Sequence, residues 1–346
     1  MQLVAGPWYG SAMAFGETIA ADEAERFRGY GEEIVSIQRS RVERGEKLER
    51  ALHVKQHVGA VGELVVKAPD TARSGVFAMS GKSWPVYVRF SNGGSRRQAD
   101  KVPDVRGFAL KLVGVPGQKL IKGLESELTQ DFLFIDTPAL PFSTPEEFMQ
   151  FVRIVRRGPA KLVPGLISNY GFGRAVGIIW GSVTGSKVKS YATHTFHTGA
   201  PIAFGRSAAK LSLVPVASTA PSPAASGPDF LQKDLQARLK SGALSWTLRA
   251  QLFVDQASTP IEDTAVTWSA PWIDLATLTL PTQDTESARG VEISELVNQL
   301  SFDPWHTTEQ HRPLGAMMRA RAVTYGASVV ERKAAPEPKS VLTPSP

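Results

Sequence analysis

The chain has 346 residues, 42% apolar and 21% charged, a balance suited to one large globular domain or two ordinary ones. It has no cysteine, so disulfides, thiolate-held zinc and thiolate ligation of a haem iron are excluded. The net charge of +6 is spread among acids, as in Arg41-Val42-Glu43-Arg44, with no basic run interleaved with aromatics, so no nucleic-acid partner is expected.

In chain order, residues 17–52 are rich in Ala, Glu and Arg and predict a helix, with 1–44 read as an N-terminal helical arm. Residues 1–20 lack a basic segment followed by a long apolar one, so the expected location is cytoplasmic. No stretch has the uninterrupted apolar length of a membrane span. Residues 53–68 alternate and carry valines, as a strand with a glycine turn does. Strands are predicted at 84–91 and 107–113, and a shorter one at 132–136. Ser143-Thr144-Pro145-Glu146 opens a helix through a hydroxyl cap, a proline in the first turn and acids at the positive end.

Residues 160–187 are ambiguous; Gly171-Phe172-Gly173 with Gly177 only loosely echoes a dinucleotide loop, and the spacing is wrong. Further strands are expected at 191–197, 209–216, 245–254 and 272–280. Residues 217–228 read as a loop before a helix at 229–239. Helices are also expected at 291–300 and 313–332. The tail, 334–346, holds four prolines and reads as disordered. Strands adjoining strands, with helices gathered late, predict an α+β protein on an antiparallel sheet or barrel.

Two constellations carry chemistry. In the last helix Arg321, Tyr325 and Arg332 fall within roughly 40° of one another. Read alone, that stripe is either a basic surface or a face laid against something anionic, because an unpaired buried guanidinium is expensive. In the second case Arg321, one turn from Tyr325, favours a phenolate able to ligate ferric iron. Earlier, Arg50 lies three residues before His53, and Arg89 and Ser91 share one face of a strand. A histidine, a hydroxyl to orient it and several arginines for carboxylates would suit a pocket that cleaves peroxide. His194 and His197 are three apart on an expected strand, which puts them on opposite faces and argues against a histidine metal site there.

At these residues the sequence resembles the haem catalases, in particular the short, catalase-related peroxidases. Arg50-Ala51-Leu52-His53 with 59–66 looks like the distal-histidine segment, and Val88-Arg89-Phe90-Ser91 like the strand after it. Residues 104–111 (DVRGFALK) resemble D-P-R-G-F-A-x-K, with Val105 for proline. Residues 131–142 and then Phe148 resemble the distal N-N-T-P stretch and a later pocket phenylalanine. His194-Thr195-Phe196, 245–248 and 272–280 look like barrel strands, and Arg321-x-x-x-Tyr325 with Arg332 like the proximal helix. The matches run in order from about 45 to 332.

The resemblance implies a catalase-type antiparallel β-barrel over 45–333, wrapped by helices, with the last helix carrying the ligand. It implies non-covalent b-type haem with Tyr325 on the iron. Arg50, Arg89 and Arg332 would hold propionates, Arg321 the tyrosinate, and Phe148 would pack near the distal face. His53 would act as the proton carrier with Ser91 orienting it.

Where the family has Asn-Asn, this chain has Ile135-Asp136; Asp136 can donate to peroxide only when protonated. A shifted register would instead offer Thr129-Gln130. The chain is also short for a catalase. The expectation is therefore a hydroperoxidase that reduces hydrogen peroxide or organic hydroperoxides with an organic electron donor, weak at most as a catalase, and compatible with a homo-oligomer. A fatty-acid hydroperoxide isomerase or dehydratase, and a non-catalytic haem carrier or peroxide sensor, are the alternatives.

Overall fold

The computed structural model describes residues 16–185, 188–216 and 226–345. Most of the loop expected at 217–228 lies outside the described residues. The chain begins with α1 (Glu23–Val42) and then runs through β1 (Gln56–Val66), β2 (Ser83–Asn92), β3 (Arg106–Val113) and β4 (Thr129–Ile135). Three helices follow: α2 (Pro145–Arg156), α3 (Pro159–Tyr170) and α4 (Phe172–Gly185). The second half supplies β5 (Phe196–His197), β6 (Ile202–Phe204), β7 (Ser207–Pro215), α5 (Phe230–Ser241), β8 (Leu244–Leu252) and β9 (Trp272–Leu280). Two helices close the chain, α6 (Ala288–Gln299) and α7 (Ala316–Glu331).

Neighbouring strands pair antiparallel in the order β4-β3-β2-β1-β9-β8-β7, and β5 pairs with both β4 and β7. The sheet is thereby closed into an eight-stranded barrel, and β6 hangs on β7 outside the ring. Alternation along the strands sorts the side chains. Val86, Val88, Phe90, Phe108, Leu110, Phe132 and Phe134 are buried in the main core with Leu211, Leu213, Trp246 and Leu278 from the other half. Tyr87, Arg89, Ser91, Gly107, Ala109, Lys111, Asp131 and Leu133 take the opposite positions and form the outer face of β2–β4.

α6 lies on that outer face beside β1. A Cβ on Gly59 would stand 2.7 Å from the Val297 Cβ and 2.8 Å from the Ser294 Cα, so only glycine admits the helix at this distance. α1 backs α7: Phe27, Tyr30, Ile34 and Ile37 pack on Ala316, Ala320 and Val323. These positions of α7 lie roughly opposite Arg321 and Tyr325 at 100° per residue. α1 thus supports the stripe of interest without covering it.

One open stretch is resolved and two expectations need correction. Residues 160–187 fold, as far as they are described, into the helical hairpin α3–α4; their glycines and Pro164 hide the helical period from a propensity reading. The strand expected at 191–197 shrinks to Phe196–His197. The tail is not disordered over 334–345. Glu337 forms a buried 2.6 Å ion pair with Lys111, which also meets Asp131 at 2.7 Å. Leu342 N donates to the Tyr87 hydroxyl at 2.9 Å, and Val341 and Leu342 pack over the outer face. The strap is held because Lys111 would otherwise be a buried ammonium with one counter-charge. Its prolines do not prevent this, since extended chain suits them.

Candidate active site

His53 sits just before β1 with φ of 54°, in the left-handed region that few residues other than glycine occupy. Its backbone is pinned from both sides: His53 N donates to Gly93 O at 2.9 Å, and Arg89 Nη2 donates to His53 O at 2.7 Å. The result aims the ring at the outer face of β2 and β3. There His53 Nδ1 lies 3.1 Å from Ser91 Oγ. Gly107, opposite Ser91 in the β2–β3 register, floors the ring. A Cβ at 107 would stand 2.7 Å from His53 Nδ1 and 2.8 Å from Ser91 Oγ. When Nδ1–H donates to the serine oxygen, Nε2 is left as an unprotonated acceptor. Burial, then the guanidiniums of Arg89, Arg321 and Arg50, lower the His53 pKa to about 3, so the ring is neutral at ordinary pH.

The second wall is α7. Its N-terminus has glycine rather than a capping side chain, and two glutamates serve instead. Glu17 Oε1 accepts from Gly315 N at 2.8 Å, and Glu262 Oε2 accepts from Ala316 N at 2.7 Å. Acids at the positive helix end are stabilising. Arg319, one turn in, is buried and pairs with Glu17 and Glu23. The helix start is thus fixed by long-range ion pairs. Farther along, Arg321 Nη2 donates to the Tyr325 hydroxyl at 3.0 Å, and the guanidinium lies 4.9 Å from the centre of the tyrosine ring. Arg321 Nη1 is held by Met318 Sδ at 3.3 Å, and Met318 O accepts from Trp305 Nε1 at 2.6 Å. Tyr325 is half-buried.

Arg50, Arg89 and Arg332 gather between these walls. Arg50 Nη1 donates to Asn298 O at 2.5 Å and Nη2 to Leu300 O; Arg332 donates to Gln299 O at 2.9 Å and Leu300 O at 3.0 Å. Both arginines therefore use the free carbonyls at the C-terminal, negative end of α6. That is partial compensation only. Burial pushes Arg89 down to about 9 and Arg332 to about 10; Arg50 is also lowered, by burial and then by Arg89 and Arg332. No carboxylate lies within 4 Å of Arg50, Arg89, Arg321 or Arg332 among the described residues. Arg89 Nε and Arg332 Nε are buried without a hydrogen-bond partner. A cavity of about 240 Å³ opens here, lined by Leu48, Arg50, Val54, Asn298, Arg332 and Ala335.

These residues meet the requirements of a haem. Orphaned, mutually repelling guanidiniums suit two propionates. A tyrosine hydroxyl that accepts from an arginine suits an iron donor of the tyrosinate haem type. The neutral histidine belongs to the opposite wall, and the arginine of the tyrosine pair is near enough to depress its pKa.

Among the other expected residues, Asp136, Thr129, Phe148 and His194 have partners of their own. Asp136 makes no hydrogen bond to His53 or Ser91. Its Oδ1 accepts from Arg106 N at 3.0 Å, and burial raises its pKa to about 7. Gln130, the alternative amide, pairs with Leu112 and by alternation shares the barrel-interior side of Phe132 and Phe134. It is fully buried there with both amide atoms unpartnered. Thr129 Oγ1 belongs to the cluster around Glu337, at 2.8 Å. Phe148 packs between Phe142, at 5.9 Å between ring centres, and the α1–α7 cluster. His194 Nε2 lies 3.2 Å from Asp136 O. The reading of the sequence missed the α6 carbonyls, which no side-chain pattern announces, and Gly107, whose signal was a glycine in an otherwise bulky strand.

The fold defined here, a closed eight-stranded antiparallel barrel with a tyrosine helix facing its outer wall, is that of the catalases. It is similar to catalase A from Saccharomyces cerevisiae, with a TM-score of 0.68, 19% identity, and coverage of 85% of this chain and 63% of that one. A fungal catalase gives a TM-score of 0.67 at 20% identity, covering 85% of this chain and 61% of that chain. This chain therefore spans less than two thirds of those catalases. The catalase family model matches residues 30–173. A catalase-related peroxidase of Mycolicibacterium paratuberculosis is 29% identical over 295 residues, 81% of this chain and 88% of that protein. Residues 30–173 thus resemble the catalase family, and most of the chain is similar to a catalase-related peroxidase.

Proposed function

We propose that this protein is a haem-dependent hydroperoxidase that reduces hydrogen peroxide or an organic hydroperoxide at the expense of an organic electron donor. The observation that carries the reading is the opposed pair of walls, His53 with Ser91 on one and Arg321 with Tyr325 on the other, beside arginines that lack anions. In balance, one peroxide, two protons and two electrons, one from each of two donor molecules, give two molecules of water, or water and an alcohol, plus two oxidised donors.

When bound, haem would supply the redox chemistry that couples the peroxide to the donor. The residues do the rest. His53 Nε2 takes the proton from the proximal peroxide oxygen and gives it to the leaving one. Ser91 holds the ring in the tautomer this needs. Gly107 keeps the space into which the ring is turned. Arg321 stabilises Tyr325 as the anion, and Arg50, Arg89 and Arg332 receive the propionates.

Weak catalase turnover is part of the proposal. Dismutation asks for a second hydrogen-bond donor for peroxide beside the histidine. Gln130 lies on the barrel-interior side, Asp136 Oδ1 accepts from the Arg106 amide, and the residue paired with Gly107 on β4 is Ile135, which cannot donate. The test is the absorption spectrum of the purified protein. A high-spin ferric spectrum with phenolate charge-transfer bands is expected, and Tyr325→Phe should lose or greatly weaken haem binding. A variant with an unchanged spectrum would remove Tyr325 as ligand, and a protein that cannot be loaded with haem would end the proposal.

A further inference from the structure

The mixed distribution of charge along the chain has one exception. Between Glu147 and Asp229 there is no Asp or Glu, while nine Lys or Arg occur. The hairpin α3–α4 lies within this stretch. Each of its helices has one charged residue, Lys161 and Arg174, and Arg174 is paired with Glu147. One face is anchored: Leu166, Ala175 and Ile178 are buried with Phe142 and Ile154. Beside it, among the described residues, apolar side chains are exposed. Val163 and Ile167, four residues apart on α3, and Phe172 and Val176, four apart on α4, each form a stripe. Phe172, at the turn of the hairpin, is 71% exposed. At the base of the hairpin Val155 is exposed as well, next to Arg156, Arg157 and Lys161. Those three cations have no carboxylate within 4 Å among the described residues.

We propose that the α3–α4 hairpin docks this protein onto an anionic lipid surface, with Phe172, Val176, Val163 and Ile167 entering the headgroup region and Arg156, Arg157 and Lys161 meeting lipid phosphates. Exposed apolar residues on one side and unpaired cations at the rim are the features of an interfacial helix. No described helix is long and apolar enough to cross a membrane, so the contact is with the surface. A second copy of the chain fits less well. A twofold interface sets the same patch against itself, and this stretch has no acid with which its cations could pair. The docking reading does not depend on haem, so its failure would leave the proposed reaction standing.

The experiment is co-sedimentation of the full-length protein with phosphatidylcholine vesicles, with and without about one third phosphatidylserine, at low and high salt. Binding is expected to the anionic vesicles only, and to weaken in salt. Phe172→Ser with Val176→Ser should abolish it with haem content and thermal midpoint unchanged, since both side chains are solvent-facing. Arg157→Gln should weaken partition roughly fivefold, as expected for one interfacial charge. Equal recovery in the supernatant with and without vesicles would overturn the proposal, as would equal binding to neutral and anionic vesicles. Salt-independent self-association removed by Phe172→Ser would overturn it in favour of a second copy.

Discussion

His53 is held neutral by its surroundings, and this fixes how acid acts on it. Burial comes first and the flanking guanidiniums second in lowering its pKa to about 3. A depressed histidine contributes stability that is present above its ordinary value near 6.5 and is lost as pH falls toward 3. The form able to take a proton from peroxide is therefore present throughout the neutral and mildly acid range. The rate of reaction with peroxide should show no loss from this residue between pH 7 and 5. Arg89→Gln removes one of the cations and should move the acid limb upward. An unshifted limb in stopped-flow rates would mean that the arginine does not tune the ring.

Gly107 makes a sharper test of the same wall. Gly107→Ala places a methyl group 2.7 Å from His53 Nδ1, too close to be accommodated without moving the ring. The fold and haem content should survive, because the strand ladder is untouched. The rate with peroxide should fall roughly 10²-fold, the scale of a displacement near 1 Å. An unchanged rate would show that the ring is not positioned against β3.

At the level of elements, the C-terminal strap behaves as part of the wall. One ammonium, Lys111, faces two carboxylates in a dry site. Burial acts to raise both acids. Glu337 is nevertheless held low, chiefly by the Lys111 ammonium, whereas at Asp131 burial outweighs the same ammonium. Glu337→Ala should destabilise the protein by roughly 3 kcal/mol, as breaking a buried pair does. Denaturant unfolding would read it, and a change below about 0.5 kcal/mol, the scale of ordinary surface substitutions, would mean that the strap is not held by its charge.

The elements also show what a sequence can disclose. The strands at 84–91 and 107–113 were legible because valine and aromatics alternate with polar residues against a two-sided environment. The helix from Thr144 was legible because its cap is local: Thr144 Oγ1 accepts from Glu147 N at 3.4 Å. The strap was not, because anchors such as Lys111 and Tyr87 are far away in sequence. The site divides in the same way. Residues 50–53, 89–91 and 321–332 carry short-range patterns, whereas the facing of Gln130 and Asp136 is set by the strand register with Leu112 and by the Arg106 amide.

For the whole molecule, the barrel has unequal joints. β1 and β2 pair over nearly their full length, but the ring between β4 and β7 is completed by Phe196 and His197 alone. That joint is a place where the structure can open without unfolding elsewhere. Amide exchange should run faster at His197 and its partners Ile135 and Ser212 than at Val61 and Val88 in the long ladder. Uniform protection around the ring would contradict this. The pairing also sets an order in time. Around the ring the strands follow one another in chain order, and β1 with β9, as at Glu63 and Thr279, is the pairing that joins the two ends of the sheet. The barrel should therefore form as an open, curved sheet that shuts between β1 and β9 in a late and slow step, since distant pairings delay folding.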